Sequence, residues 1–248
     1  MKTKKIITAL LLLLLTASCS NDIISEQDQK NDYSNHFTFD AITESANWRT
    51  YGSLEEMLNA CQIPENILHS IPTDELIKIC LNHPLAFIYT AYNNESTGAD
   101  VIFNSFNGFK ELNTRKDHCN SVLKFYSDLN LRDSSPRAYK NKEDFSAPVK
   151  LGFLELYLAS PANADLLSHE NIREFNRIVS QKHLEKKQNP ECYKMLSLRK
   201  SYLLKAKVAI ANGELQQNEE KSVQDFINNG GTFSSEDQAK KIISLTSK

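Results

Sequence analysis

Lys150-Leu151-Gly152-Phe153-Leu154-Glu155-Leu156-Tyr157-Leu158-Ala159 is apolar almost all round a helical wheel. A helix with no polar face belongs in the middle of a core. Two longer periodic stretches follow it. Between Ala164 and Lys187, the stripe Ile172, Phe175, Ile178 and Val179 lies opposite Arg173, Glu174 and Arg177. Between Glu191 and Asn212, the positions Cys192, Leu196, Arg199, Leu203, Ala206 and Ile210 recur at alternating spacings of four and three, and Gly213 is a natural stop. Ser222 with Asp225 opens a short helix that Gly230-Gly231 closes, and Ser235 with Gln238 opens the last, with Ala239, Ile242 and Ile243 inward.

Upstream the helical signals are shorter and closer together. Ser53 and Glu56 form a capping box ahead of Leu54, Met57, Leu58 and Cys61. Pro64 suits the start of a second helix and Thr73 the cap of a third, which buries Leu76, Ile77, Cys80 and Leu81. Pro84 ends that helix and leads into Leu85 to Tyr92, and Asn93 to Gly98 reads as a turn. Further helices are expected over Ala99 to Phe106 and Phe109 to Leu129. Only Val101-Ile102-Phe103 competes as a strand. The expectation is an all-α fold of many short-to-medium helices, packed as an irregular bundle or a solenoid-like stack. The proline- and charge-rich stretch 130–148 is a candidate subdomain boundary.

The N-terminus has the three parts of an export signal: Lys2, Lys4 and Lys5, an apolar run from Ile6 to Leu15, and the small residues Thr16, Ala17 and Ser18 before Cys19. The apolar run is shorter than the ~20 residues of a membrane-spanning helix. Leu15-Thr16-Ala17-Ser18-Cys19 resembles the lipobox of bacterial lipoproteins, with Thr16 where that family prefers leucine. The resemblance implies cleavage before Cys19 and acylation of that cysteine with palmitate-type chains, each buried CH₂ contributing ~0.8 kcal/mol of anchoring. Residues 1–18 are then a signal peptide, 19–47 a polar lipidated tether and 48–248 the helical domain, with Phe37, Phe39 and Trp48 marking where the chain reaches it.

Losing the three lysines of the signal leaves 26 basic against 31 acidic residues, a formal charge of −5. That balance gives no support for general nucleic-acid binding, which needs a basic face. The segments Cys61-Gln62-Ile63-Pro64-Glu65, Cys80-Leu81-Asn82-His83-Pro84-Leu85, Ala91-Tyr92-Asn93-Asn94 and Phe106-Asn107-Gly108-Phe109-Lys110-Glu111-Leu112 resemble a group of uncharacterised lipoproteins and secreted proteins of gut Bacteroidetes. The resemblance covers about residues 48–126 and implies a Gram-negative envelope, chiefly the outer membrane, facing the periplasm or the surface. It implies no activity, and His83 stands where the group more often has an aromatic.

No residue cluster commits the chain to a reaction. Cys80-x-x-His83 with His118-Cys119 has the donor types of a zinc site or a Cys–His nucleophile pair, but neither the tight pairing nor a protease signature. On a helix, adjacent residues such as His118 and Cys119 are expected to diverge. His83, Asn107 and Arg115 are candidate binding residues, the latter two lining a groove at the Asn107-Gly108 bend. His169-Glu170 lacks the second histidine of a zincin helix. Glu55-Glu56 and Glu219-Glu220 point apart on a helix, unlike a glycosidase dyad. The glycines form no phosphate loop, so no cofactor is implied. Arg199, Lys200, Lys205 and Lys207, near Tyr193 and Tyr202, read as a solvated face or as a contact for headgroups or an acidic partner. A single tryptophan, Trp48, argues against glycan capture. Cys61, Cys80, Cys119 and Cys192 are either disulfide partners or buried thiols, with helical, apolar positions favouring thiols. The reading is a membrane-anchored, non-enzymatic binding or scaffold module with an envelope protein partner. The alternative is a hydrolase-like enzyme with a Cys/His site assembled from distant residues.

Overall fold

The computed structural model describes residues 37–131 and 146–246. The signal sequence, Cys19 and most of the expected tether and boundary stretch lie outside the described residues. Among the described residues twelve α-helices follow one another: α1 Asp40–Thr43, α2 Leu54–Ala60, α3 Glu65–Leu68, α4 Thr73–Leu81, α5 Glu95–Ser105, α6 Asn107–Thr114, α7 His118–Asp128, α8 Ser146–Ala159, α9 Ile172–Gln188, α10 Met195–Ala211, α11 Gln217–Asn228 and α12 Glu236–Thr246. Short 3₁₀ turns occupy Ala46–Thr50, Ala86–Ala91 and Pro161–Leu167. Among the described residues there is no strand, so the fold is all-α.

The helix that is apolar on every side lies at the centre. α8 packs against α4, α5, α7 and α10, and Phe153 and Tyr157 meet Phe103 and Phe109 in one aromatic cluster. α10 is the second hub, touching α8, α9, α11 and α12. A solenoid repeat would touch only its neighbours in sequence; α8 reaches helices far from it in the chain, so the arrangement is an irregular bundle. One apolar core joins residues on both sides of the 130–148 stretch.

Local sequence accounts for several helix ends. Ser53 Oγ accepts from Glu56 N at 3.2 Å, whereas Glu56 Oε2 accepts from Gly52 N at 2.6 Å, one residue upstream of the usual reciprocal bond. Ser235 Oγ caps Gln238 N at 3.1 Å. Gly230 and Gly231 close α11 with φ of 61° and 79°, a region that side chains with a Cβ rarely enter.

Several elements differ from the sequence reading. Phe39 is only 8 % exposed and its ring packs on His83 and Phe106, so residues 37–47 belong to the folded body rather than to a tether. Asn94 caps Ser96 and Thr97, starting α5 inside the expected turn. Gly98 lies within α5 because any Cβ there would stand 2.7 Å from Tyr89 Cα. The close approach of two backbones, rather than a reversal of the chain, explains that glycine. The stretch expected as one helix from Phe109 to Leu129 breaks at Arg115, and α10 begins at Met195 rather than Glu191. α11 starts at Gln217, not Ser222, capped by Gln216 with Glu219. The inward stripe predicted for α10 holds at Cys192, Leu203 and Ala206 but loses Leu196, which is 62 % exposed, and widens to bury Lys200, Ser201, Tyr202 and Leu204.

Candidate functional site

The sequence-level candidates are structural ties. Asn107 Oδ1 accepts from Ile63 N at 2.9 Å while its amide donates to Ile63 O at 2.7 Å, pinning the start of α6 to the chain after α2. Arg115 Nη1 donates to Ile71 O at 2.6 Å, and Nε and Nη2 donate to Glu111 Oε1 at 3.2 and 3.1 Å. The guanidinium thus satisfies the carbonyl ending one loop and a carboxylate on its own helix. His83 is buried between Phe39 and Phe106. Its Nδ1 accepts from Leu85 N at 3.1 Å, and its Nε2 has no partner. Burial holds its pKa down at about 3.

His118 and Cys119 do not diverge. Cys119 Sγ sits 3.2 Å from His118 Nε2, while Nε2 and Nδ1 each lie 2.9 Å from a carbonyl oxygen, those of Ala162 and Arg115. Both groups are drawn toward the same Ala162 carbonyl, with Cys119 Sγ 4.0 Å from it. The pair has the contact of a nucleophile and base but the wrong electrostatics. Burial, and then the charge of Asp165, push the Cys119 thiol up from its ordinary value, whereas a reactive cysteine needs its thiolate favoured. Burial also raises Cys80, and takes Cys61 to about 12. All four cysteines in the described residues are buried as thiols rather than joined in disulfides. Among those residues, no group of three or more His, Cys, Asp or Glu side chains is placed to hold a metal ion.

What sequence reasoning missed is a set of ion pairs inside the bundle. Glu155, the one acidic residue on α8, is completely buried, as is Lys186 of α9. Lys186 Nζ donates to Glu155 Oε2 at 2.5 Å and to Ser197 O at 2.9 Å. Tyr126 Oη donates to the other carboxylate oxygen at 2.6 Å. Three helices, α7, α8 and α9, are thereby tied through one carboxylate, with the start of α10 joined through Ser197. A second pair lies nearby: Lys200 Nζ is 2.5 Å and Arg199 Nη2 3.3 Å from Glu95 Oε2 of α5. The Lys200 ammonium stands 5.5 Å from the Tyr89 ring centroid. Lys182 pairs with Glu185 at 3.2 Å and donates to Leu129 O. Arg199 and Lys200 are therefore internal ties, not the solvated face expected of them. Burial lowers the pKa of Lys186 and Lys200, and their carboxylate partners oppose that shift. The one available signal was Glu155 itself, because a charge on an all-apolar helix requires a buried partner.

Two cavities among the described residues are lined by none of these paired side chains. One is apolar and lined by Leu81, Phe125, Leu129, Leu131, Leu151 and Leu154 with Lys150; the other is an open polar hollow between α11 and α12. With both members of the central pair sealed, the network can hold helices together but cannot receive a substrate.

The buried histidines give a prediction about pH. Burial lowers the pKa of His83 to about 3, and burial followed by Lys205, Lys186 and Lys187 lowers that of His183 to about 4. The unfolded chain takes up these protons near pH ~6.5, before the folded chain does. The histidine contribution is therefore intact above that pH and is lost as pH falls toward the folded-state values. Acidification to about pH 5.5 should cost about 1.4 kcal/mol per histidine. Urea midpoints between about pH 7.5 and 5.5 check this; His83→Phe should roughly halve the slope, and a wild-type midpoint independent of pH would contradict it.

Comparisons of the chain with protein-family profiles, with curated proteins and with solved structures give no match.

Proposed function

We propose that the protein is a lipid-anchored lipoprotein of the bacterial envelope whose helical domain works as a non-enzymatic binding or scaffold module. The lipobox-like run Leu15 to Cys19 supports the anchor and, with the Bacteroidetes resemblance, an outer-membrane location. The observation that carries the scaffold reading is the sealed Glu155–Lys186–Tyr126 network. Its charges are spent on fixing helices, and its partners leave no oriented base or acid facing a cleft. No helix of the described residues is long and apolar enough to cross a membrane, which is compatible with anchoring by lipid. Native pull-down of the lipidated protein from its own envelope tests this: one stoichiometric partner supports the scaffold, and recovery of the protein alone opposes it.

The Cys119–His118 contact favours one second reading, a cysteine hydrolase. Thiol labelling separates the two. With burial raising Cys61, Cys80 and Cys119, native maleimide modification at neutral pH should be at least about 100-fold slower than in urea. One cysteine that reacts quickly in the native state, and slows on His118→Ala, would favour the hydrolase.

A further inference from the structure

We propose that the end of the α9–α10 hairpin is a second membrane contact, which seats the domain on an anionic phospholipid surface. This inference rests on the lipid-anchor reading and adds an orientation to it. The large apolar side chains that stand exposed in the described residues are Tyr92, Leu184, Met195 and Leu196. Three of the four belong to this hairpin end: Leu184, 52 % exposed, near the end of α9, and Met195 and Leu196, 50 and 62 % exposed, in the first turn of α10. Leu196 occupies an apolar position of the α10 repeat, yet it points outward. Exposed leucine and methionine gathered at one tip have the chemistry of side chains that enter the headgroup–acyl boundary.

The charge around them has the matching sign. Lys187 and Lys194 are exposed beside the apolar residues, and among the described residues neither is in an ion pair shown by the structure; Glu191 is the one acid exposed in the connecting turn. Farther up α10, half-buried Lys205 is pulled down first by burial and then by the Lys187 charge. His183 lies between them, its Nδ1 2.8 Å from Ser201 Oγ and its buried Nε2 without a partner. Among the described residues Lys187 and Lys194 outnumber the one exposed acid, Glu191, and no ion pair joins them to it, in contrast to the paired lysines inside the bundle. An anionic headgroup layer supplies that missing charge. The chain can reach: the eighteen residue steps from Cys19 to Phe37 span at most ~60 Å, more than a domain of this size measures across.

Because the native thiols are buried, Leu196→Cys provides a single labelling position in the full-length lipidated protein. An environment-sensitive probe there is read on phosphatidylcholine vesicles with and without phosphatidylglycerol, with Tyr92→Cys as the remote control. The expected result is a blue shift, and quenching by doxyl lipids, at position 196 only and chiefly on anionic vesicles. Each lysine near such a surface contributes about fivefold to partition, so Lys187→Gln with Lys194→Gln should cut the anionic preference about 30-fold. A probe that stays water-like on both vesicles, shifts equally at both positions, or shifts with protein density irrespective of lipid charge would overturn the inference, the last by showing self-association. Co-flotation separates the two readings. Protein that floats with a dry-shift-free probe overturns only the hairpin contact. Protein that fails to float with neutral vesicles refutes the lipid anchor, and its flotation with anionic vesicles then upholds the hairpin contact while absence of any flotation refutes it.

Discussion

Lys186→Ala should destabilise the domain by about 3–5 kcal/mol, because it leaves the Glu155 carboxylate buried without its counter-charge. The substitution removes the 2.5 Å bond to Glu155 and the 2.9 Å bond to Ser197 O together. For a domain of this size, each kcal/mol shifts the melting temperature by about 2–4 °C, so the midpoint should fall by about 10 °C. The effect belongs to the orphaned charge, not to the pair itself. Buried ion pairs gain little net stability over apolar packing, since desolvation offsets their attraction. Replacing the whole network, Glu155→Leu with Lys186→Met and Tyr126→Phe, should therefore recover most of the loss. Thermal and urea unfolding of the two variants measures both quantities. A single substitution within about 1 kcal/mol of the wild type would mean that water reaches the site and the network is not sealed.

Cys19→Ser should abolish acylation. The hydroxyl cannot replace the thiol in forming the thioether, so incorporation of labelled palmitate should fall to background and the unprocessed precursor should accumulate. Anchoring by two or more acyl chains is close to permanent, while one chain alone binds membranes only marginally. Normal palmitate labelling and normal processing of the serine variant would remove the basis for placing the protein on a membrane through lipid.

The outline of the fold was legible in the sequence because the relevant signal is periodic. The stretch Leu151 to Leu158, apolar on nearly every side with Glu155 its one charge, reads as a central helix, and α8 is one. The helix ends at Ser53, Ser235 and Gly230 follow from capping chemistry that acts within a few residues. What escaped the sequence depends on contacts between distant segments. Gly98 looked like a turn because its partner, the Tyr89 backbone, meets it only after folding. Lys200 read as part of a solvated face because Glu95, the carboxylate that draws it inward, lies on another helix, and the pairing of Lys186 with Glu155 likewise joins two helices. Leu196 fitted the repeat of α10 yet faces out, while Ser197 beside it is buried and its carbonyl accepts from Lys186 of α9. Asn107 and Arg115 drew notice as polar residues near a bend; their polar atoms bind the backbone of the preceding loops.

The most direct measurement is the intact mass of the protein extracted from the native envelope. The account predicts a mature chain that starts at Cys19 and carries the added mass of a diacylglyceryl group with further acylation. A mature chain with an unmodified thiol at Cys19, or one beginning at any other residue, would contradict it.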